Sequence, residues 1–472
     1  MCARPGISTS CPFYVELRPV MRERCPLSGN IRALSEVFAS RGYSLYLVGG
    51  AVRDYLLSLP NDDYDFATDA RPQEVMDLFP HHVIPTGLQH GTVTVRFRKS
   101  SYEITTFRSE SSYSDSRHPD SVTFVRSLES DLERRDFTIN ALAVDCRDGR
   151  IIDMHDGRGD LKRKLVRAIG RPDERFSEDA LRMLRACRFA AKLGFTVETE
   201  TFNAMCRLSG NIVKVSGERI REELFRIICS PHPSAGIELM RRSGLLHWVL
   251  PELEACHGVE QMGLHHMDVY HHQLAALEVA REHSYPPEVR LAALLHDIGK
   301  PECRTVAPDG GSCTFYGHDR LSGEKTDVIM RRLKCSNAER EKVVLLVREH
   351  MFNYTSQWSD GAVRRFVSRV GKDNITDLIR LRIADAQSIS SKPVLDPLWE
   401  LEERVRKILE EKEPLGIRDL AIGGRELMAL GVPQGPQLGR VLNQLLDLVL
   451  EDAALNTKEN LRQKAQEIIS RS

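Results

Sequence analysis

The sequence lacks the features that define several broad classes of protein. Its 11 cysteines are an odd number with no Cys-x-x-Cys pair, so neither a zinc knuckle nor a disulfide framework is predicted. No stretch approaches the roughly 18 uninterrupted apolar residues that a membrane helix needs. Neither sign of charge dominates, since 66 Lys plus Arg face 67 Asp plus Glu. This balance argues against a uniformly basic nucleic-acid binder and against an acidic tail protein.

The composition describes a globular chain with ample apolar material. Its 472 residues, 41% of them hydrophobic, are enough for about two to four domains. Scattered single cysteines predict a reducing compartment, and the first segment lacks the apolar core of a secretory signal. We therefore expect a cytoplasmic protein that does not enter a membrane, with residues 1–30 forming a poorly ordered extension.

Two kinds of pattern follow one another along the chain. Between Gly42 and Asp156, runs such as DDYDFAT, GTVTVRF and SYEITTF have period two, which predicts a small mixed sheet with one early helix. After Asp156 the pattern is helical and rich in Arg and Leu. The predicted fold class is α+β, a mixed-sheet head followed by all-α modules.

Two acidic residues of the head form the first candidate site. Asp63 and Asp65 are two positions apart in a strand pattern, so the pleat would put both carboxylates on one face. Paired carboxylates suit Mg²⁺, and metals held in this way stabilise in-line attack on phosphorus. A solvated strand end is the alternative interpretation of a bare Asp-x-Asp.

The Gly-Gly turn upstream favours the metal site. Gly49 and Gly50 lie between a strand and a helix, where backbone N–H groups can approach a triphosphate, and Arg53 follows to neutralise its charge. The absence of a G-x-x-x-x-G-K-[ST] motif argues against a P-loop ATPase. Together, the strand, the Gly-Gly turn, the helix and the Asp-x-Asp strand indicate nucleotidyl transfer of the DNA polymerase β type.

Ordered motifs make a family resemblance specific. The motifs, in order along the chain, are LVGGAVRDYLL, NDDYDFAT, RRDFTINALA, RFSEDALRMLRACRF and SGERIREELFRI. They resemble those of class II tRNA nucleotidyltransferases, which are the CCA-adding enzymes and their bacterial poly(A) polymerase relatives. The similarity covers most of the chain from about Tyr43 onward.

The resemblance implies roles for residues of the head. It implies that Asp63 and Asp65 bind Mg²⁺ and that the incoming nucleotide is contacted by Gly50, Arg53 and Arg135. This set combines a metal pair with a triphosphate-binding turn.

Three further polar residues of the head have supporting roles in this interpretation. Asp136 and Asn140 are expected to hold the local backbone rather than to react. Glu103, in SYEITTF, is a candidate for a third acidic group near the metals. The alternative for Glu103 is an ordinary exposed strand position, because an alternating strand always exposes something polar.

A helical pattern from Ser177 carries a candidate base-selecting pair. In one continuous helix Asp179 and Arg182 would be neighbours about 60° apart around the axis. An acceptor beside a fork of donors fits the Watson–Crick edges of adenine and cytosine and mismatches guanine and uracil. The resemblance implies a protein template here, with Arg185 and Arg188 better placed for phosphates or bracing. A salt-bridge ladder on a solvated face is the alternative.

The polar segment from Ser109 to Asp120 is a candidate functional loop. In the resembling family, a flexible loop at this position belongs to enzymes that add the terminal A. Its presence here, with Arg117, argues against addition of CC alone. A plain surface loop is the alternative.

A second constellation, rich in histidine, resembles the HD superfamily of metal-dependent phosphohydrolases through the run LLHDIGK. The metal ligands that this resemblance implies are His272, His296, Asp297 and Asp385, with His318 and His350 where fuller or binuclear sites have histidines. Such ligands suit Mn²⁺, Ni²⁺ or Co²⁺, and hydrolysis of 2′,3′-cyclic phosphates and related esters is implied. A degenerate HD fold that serves as a tRNA-binding scaffold is the alternative.

The domain organisation predicted from these motifs has five parts. The N-terminal extension is followed by a polymerase-β-like head at 31–157, a neck with the base-selecting helix at 158–255, an HD domain at 256–390 and a helical tail at 391–472. The resemblance implies that the tail grips tRNA, and a simple helical cap is the alternative.

The function implied is template-independent addition of CCA, from CTP and ATP, to the 3′ end of tRNA, with the oligomeric state left open. The alternatives are an A-adding enzyme or poly(A) polymerase, and a phosphohydrolase whose head only binds nucleotide or RNA. Near-zero net charge does not exclude RNA, because residues 43–69 hold five Asp against one Arg and residues 158–192 hold eleven basic against five acidic residues. An acidic metal centre beside a basic neck suits a tRNA-end enzyme.

Overall fold

The chain forms two compact units. The computed structural model describes residues 23–61, 63–88, 91–111, 121–261, 267–306, 313–389 and 393–470. Unit 1 comprises Met1–Ser216 and Arg242–Trp248, and unit 2 comprises Gly217–Arg241 and Val249–Ser472. The boundary falls inside the neck predicted at 158–255, and the division into five parts stays a prediction.

Unit 1 is built on a mixed sheet, which confirms the fold class. Its first nine strands are β1 (Leu45–Val48), β2 (Asp65–Thr68), β3 (Val83–Gly87), β4 (Thr92–Phe97), β5 (Ser100–Thr106), β6 (Arg108–Ser111), β7 (Ser121–Phe124), β8 (Leu142–Asp145) and β9 (Ile151–Asp153). Seven of them form one sheet in the order β3-β4-β5-β2-β1-β8-β9, whereas β6 and β7 pair separately. Within the large sheet β2 and β5 run parallel and the other neighbours run antiparallel.

Apolar residues of the central strands explain why the sheet forms. Phe66, Val93, Val95 and Ile104 are each at most 1% exposed, so the alternating patterns bury one set of side chains as predicted. The helices before Gly217 are α1 (Gly29–Ala39), α2 (Gly50–Leu56), α3 (Pro72–Leu78), α4 (Leu128–Glu133), α5 (Gly157–Arg163), α6 (Pro172–Glu178), α7 (Leu181–Leu193) and α8 (Thr199–Leu208). Two short strands, β10 (Leu165–Val166) and β11 (Thr196–Val197), pair in parallel beside them.

From Gly217 onward the described chain is almost entirely helical, as the sequence predicts. The helices are α9 (Gly217–Ile228), α10 (Pro233–Arg242), α11 (Leu245–Val249), α12 (Pro251–Glu254), α13 (Val269–Glu282), α14 (Pro287–Leu295), α15 (Lys300–Cys303), α16 (His318–Arg332), α17 (Asn337–Glu349), α18 (Asp360–Val370), α19 (Ile375–Ile389), α20 (Asp396–Glu410), α21 (Gly424–Ala429), α22 (Pro436–Glu451) and α23 (Lys458–Ser470). Two short strands, β12 (Thr305–Val306) and β13 (Cys313–Thr314), pair antiparallel. No helix within the described ranges has the length and apolar character needed to cross a membrane.

The base-selecting helix differs from its prediction. It is interrupted between α6 and α7, and Asp179 lies in the break with extended backbone angles, φ −143° and ψ 104°. The Asp179 carboxylate accepts the N–H of Leu181 at 3.0 Å, because a short polar side chain can compete with the helix for backbone donors. The prediction that Asp179 and Arg182 share one continuous helix is therefore wrong.

Two predicted segments fall partly or mainly outside the described residues. Of the extension at 1–30, residues 1–22 lie outside them. Of the loop from Ser109 to Asp120, residues 112–120 lie outside them, including Arg117.

Candidate functional site

The Gly-Gly turn between β1 and α2 forms one wall of the candidate site in unit 1. Gly49 has φ 70° and ψ −127°, a conformation that L side chains rarely adopt. A Cβ atom at Gly49 would lie only 3.0 Å from Nη1 of Arg135. The guanidinium of Arg135 also lies 3.2 Å from Oδ2 of Asp131, which holds it against the turn. The fold thus brings together two motifs that are far apart in sequence.

Three acidic side chains lie at the start of β2 and on its neighbour β5. The register pairs Asp65 with Glu103, and Asp63 precedes the strand. The strand begins at Asp65 because its partner β1 ends at Val48, the residue that pairs with Asp65. The prediction that both aspartates lie within the strand is therefore wrong for Asp63, although both side chains are exposed.

The electrostatics of these acids favour a cation. Partial desolvation and then the charges of Asp63 and Glu103 raise the pKa of Asp65, whereas Arg135 opposes the shift. Carboxylates that destabilise one another in this way gain from a bound divalent cation, and hard cations prefer oxygen ligands. Asp63, Asp65 and Glu103 therefore offer the oxygen donors that Mg²⁺ prefers.

A buried chain of hydrogen bonds connects α2 with α7. Arg53 Nη1 donates to Asn140 Oδ1 at 2.6 Å, and Asn140 Nδ2 donates to Asp136 Oδ1 at 3.0 Å. Arg185 Nε donates to the other oxygen of Asp136 at 2.7 Å. Burial alone would raise the pKa of Asp136, but Arg185 and Asn140 lower it to about 2. Asp136 also accepts the N–H of Phe137 at 2.9 Å, which agrees with the supporting role expected for it.

Arg182 is held in place by neighbours on three sides. It forms an ion pair with Glu178, and its Nη1 donates to the carbonyl of Arg175 at 3.2 Å. Its Nη2 donates to the carbonyl of Arg134 at 3.1 Å. Glu178 was not identified from the sequence, although its position four residues before Arg182 was the available signal. The side chain of Arg182 thus has a fixed orientation beside Asp179.

The histidine cluster gathers all six residues that the HD resemblance named. They are His272 on α13, His296 and Asp297 after α14, His318 at the start of α16, His350 after α17 and Asp385 on α19, and each is at most 7% exposed. His272 Nε2 lies 3.1 Å from Asp385 Oδ1 and 3.1 Å from His296 Nε2.

Asp297 lies at the centre of the histidine cluster. Its Oδ2 is 3.3 Å from His296 Nε2, and its Oδ1 is 3.2 Å from His318 Nε2 and 3.8 Å from His350 Nε2. Lys300 Nζ lies 2.6 Å from Oδ2 of Asp297. Lys300 follows the HD pair within LLHDIGK, but the sequence alone did not single it out.

Each imidazole ring of the histidine cluster makes its outer contact through Nδ1. Nδ1 lies 2.8 Å from the Ala293 carbonyl in His296, 2.7 Å from the Phe315 carbonyl in His318, and 2.6 Å from the Val347 carbonyl in His350. In His272, Nδ1 lies 3.0 Å from Ser388 Oγ. Each Nε2 is therefore left to face the carboxylates, as in metal sites where outer contacts orient the ligands.

The polar atoms at the centre of the histidine cluster are held by charge–charge contacts with one another and with Lys300. Among the described residues, the buried carboxylate oxygens of Asp297 and Nε2 of His318 have no hydrogen bond of acceptable geometry. Burial alone would lower the pKa of His296, but Asp297 and Asp385 raise it to about 10. Burial and the charge of His296 lower the pKa of His350 to about 4. Two buried carboxylates thus require positive charge at their centre, and the donor set fits a transition metal.

Comparisons with known families cover both units. A model of the Poly A polymerase head domain matches residues 45–167. A model described as "Probable RNA and SrmB- binding site of polymerase A" matches residues 194–256. A model of tRNA nucleotidyltransferase domain 2 matches residues 318–465.

Individual relatives extend the similarity over nearly the whole chain. The CCA-adding enzyme of Lactobacillus johnsonii is 36% identical over 88% of this chain and 92% of its own length. That of Levilactobacillus brevis is 35% identical over 91% and 95%. The crystal structure of the Bacillus stearothermophilus CCA-adding enzyme in complex with CTP matches with a TM-score of 0.73 and 29% identity, over 94% of this chain and 98% of that one. The chain therefore belongs to the class II CCA-adding enzyme and poly(A) polymerase family.

Proposed function

We propose that this protein adds CCA, from CTP and ATP, to the 3′ ends of tRNA without a nucleic-acid template. The observation that carries the proposal is the contact of Arg135 with the Gly49 turn, close to the acids at the start of β2. This arrangement supplies cationic and backbone donors for a triphosphate beside carboxylates for a metal. The CCA-adding enzymes of two lactobacilli and the CTP complex of the Bacillus enzyme support the choice of reaction.

In the proposed reaction, the 3′ oxygen of the RNA forms a bond to the α-phosphorus of the nucleotide. The bond from that phosphorus to the bridging oxygen breaks, pyrophosphate leaves and the hydroxyl proton passes to solvent. Asp63 and Asp65 would hold Mg²⁺, with Glu103 adding negative charge nearby. Bound there, Mg²⁺ would activate the hydroxyl and stabilise the leaving pyrophosphate. Gly50, Arg53 and Arg135 orient the triphosphate.

Base selection in this proposal uses Asp179 and Arg182. Asp179 offers an acceptor at the break between α6 and α7, and Arg182 offers a fork of donors whose direction is fixed by Glu178. Cytosine and adenine present a donor beside an acceptor and so satisfy both groups. Guanine and uracil would leave buried polar atoms unpaired, which is the costly outcome.

Glu178→Gln is expected to weaken base selection. The substitution removes the charge that orients Arg182, so the preference for CTP over UTP in kcat/KM should fall about tenfold, the loss expected for one charge-assisted contact. Glu174 provides the matched control, because it lies on the same helix in an exposed ion pair with Arg171. Glu174→Gln should keep the wild-type ratio. An unchanged preference for CTP over UTP in Glu178→Gln would show that Arg182 does not need the charge of Glu178 for base selection.

The alternatives of A addition alone and poly(A) synthesis differ from CCA addition in their substrates. Each nucleotide is supplied separately to tRNA lacking CCA, to tRNA ending in CC, and to an unrelated RNA of similar length. The proposal predicts C incorporation only on the first RNA and a single A only on the second. Unlimited A addition to the unrelated RNA would support the polymerase instead, and A addition without any C addition would support the A-adding enzyme.

The histidine cluster supports a second proposed activity, metal-dependent hydrolysis of phosphoesters such as 2′,3′-cyclic phosphates. The buried oxygens of Asp297 and the inward Nε2 atoms favour this activity over a degenerate scaffold. The residues that would hold the metal are His272, His296, Asp297 and Asp385, with His318 and His350 beside Asp297. Ni²⁺, Mn²⁺ or Co²⁺ bound there would supply an activated water for attack on phosphorus.

Residues around the histidine cluster have distinct proposed roles. Lys300, bonded to Gln261 at 2.7 Å, balances the charge of Asp297. Arg382 pairs with Oδ2 of Asp385 and leaves Oδ1 towards His272. This organisation agrees with an HD domain at 256–390, which we include in the proposal together with a tRNA-binding tail at 391–472.

A further inference from the structure

Three arginines of unit 1 converge on the ring of Phe189. This residue lies on α7 and is 5% exposed. The guanidinium carbons of Arg53, Arg185 and Arg188 lie 5.1, 5.6 and 4.4 Å from the centre of its ring. Cations within about 6 Å of an aromatic face are attracted by the ring quadrupole. One buried ring therefore meets cations from two different helices.

Lys192 adds a fourth positive charge close to Arg53 and Arg188. Lys192 Nζ lies 3.3 Å from Oδ2 of Asp54. Burial and then the charges of Arg53 and Arg188 nevertheless lower the pKa of Lys192, so the nearby carboxylate does not compensate for them. Like charges at this spacing repel one another, and the cluster needs a group that holds them together.

Hydrogen bonds anchor the arginines to different partners. Arg53 donates to Asp54 at 2.8 Å and is also bound to Asn140, whereas Arg185 is bound to Asp136. These bonds fix individual guanidinium groups. The ring of Phe189 is the group over which Arg53, Arg185 and Arg188 all lie.

We propose that Phe189 is a positioning residue of the nucleotidyltransferase, whose ring gathers Arg53, Arg185 and Arg188 into one binding site for the polyphosphate of a nucleoside triphosphate. The inference rests on the proposed function, in which Arg53 orients the triphosphate, and extends that role to Arg185 and Arg188. Guanidinium groups bind phosphate oxygens as planar forks, so their mutual spacing decides how many oxygens they reach together. Phe189 acts through the arginines and touches no phosphate.

A neighbouring ring offers a matched control. Phe137 is fully buried and meets Phe189 edge-on, with the ring centres 5.7 Å apart and the planes at 79°. Among the described residues, no cation lies over the Phe137 ring. Replacement of Phe137 by Leu thus removes an aromatic ring from the same core without removing a cation–π contact.

The test compares Phe189→Leu, Phe189→Tyr and Phe137→Leu with the wild type. Phe189→Leu keeps an apolar side chain but removes the ring, and we expect KM for CTP and for ATP to rise by the same factor, about five- to tenfold, with a smaller change in kcat. The Kd for inorganic tripolyphosphate, measured by titration calorimetry, should rise similarly. Phe189→Tyr keeps the ring and should retain wild-type values. Phe137→Leu should lower Tm without changing KM or the tripolyphosphate Kd.

Two outcomes would overturn the role of Phe189. One is wild-type KM and Kd values in Phe189→Leu, and the other is an equal loss of affinity in Phe137→Leu. If Phe189→Leu does not fold, Phe189→Met takes its place, since Met fills irregular gaps in a core. Tripolyphosphate binding needs no turnover, so ring-dependent binding without nucleotide incorporation would contradict the proposed function alone. Incorporation with unchanged tripolyphosphate affinity in the variant would contradict the positioning role alone.

Discussion

Asp63→Ala and Asp65→Ala are each expected to lower nucleotide incorporation by roughly a thousandfold or more, because a bound metal contributes several kcal/mol to stabilising the transition state. The Kd for tRNA, measured by filter binding, should remain close to that of the wild type. Thermal stability should not fall with Asp65→Ala, because neighbouring charges and desolvation raise the pKa of Asp65 and the fold does not stabilise its carboxylate.

An exposed aspartate of the same unit provides the control, because its removal also lowers the negative charge but leaves the proposed metal site intact. Asp77 lies exposed on α3, where it accepts a hydrogen bond from Gln73 at 3.0 Å. Asp77→Ala should incorporate nucleotides like the wild type. Retained incorporation in both Asp63→Ala and Asp65→Ala would falsify the metal site at the start of β2.

His272→Ala and His296→Ala are each expected to reduce turnover of a 2′,3′-cyclic phosphate to background while CCA addition continues. Either substitution removes one inward Nε2 from the buried cluster around Asp297. Mutation of metal ligands costs both affinity and activity, so the Ni²⁺ or Mn²⁺ bound per chain, measured by mass spectrometry after desalting, should fall as well.

His283 provides the control for the second activity. It is exposed at the end of α13, the helix that carries His272, and it is bonded to Gln387 at 2.9 Å. His283→Ala should keep the bound metal and the phosphodiesterase activity. Full activity in His296→Ala, or no cyclic-phosphate turnover in the wild type with any of these metals, would contradict the second proposal.

Local patterns predicted those parts of the molecule whose signals lie within a few residues. The turn at Gly49 and Gly50 was predictable because a strand, two glycines and a helix follow one another directly. The Asp-x-Asp spacing of Asp63 and Asp65 could also be recognised in the sequence. That Glu103 lies beside Asp65 depended on the parallel register of β2 and β5, which no local pattern specifies.

In the base-selecting segment, one side chain interrupts the continuous helix that the periodic pattern predicts. The spacing of Arg182, Arg185 and Arg188 is helical, and all three lie on α7 as expected. Asp179 instead binds the N–H of Leu181 and ends the preceding helix. Helix periodicity reports where side chains would point in an unbroken helix, and it does not report this local competition.

Contacts between distant motifs could not be predicted from the sequence. Arg53 and Asn140 are hydrogen-bonded although they are 87 positions apart, and the guanidinium groups over Phe189 come from α2 and α7. In sequence, Phe189 is an ordinary apolar position of an amphipathic helix. Its arginine neighbours become apparent only when the two helices are packed together.

The most direct test of the account is the sequence of the product. The full chain is incubated with CTP, ATP and tRNA whose 3′ end lacks CCA, and the 3′ ends are then sequenced. We predict addition of C, C and A in that order followed by termination, with no extension of an unrelated RNA. Long A tails on either RNA, or tRNA ends that remain unextended, would contradict the account.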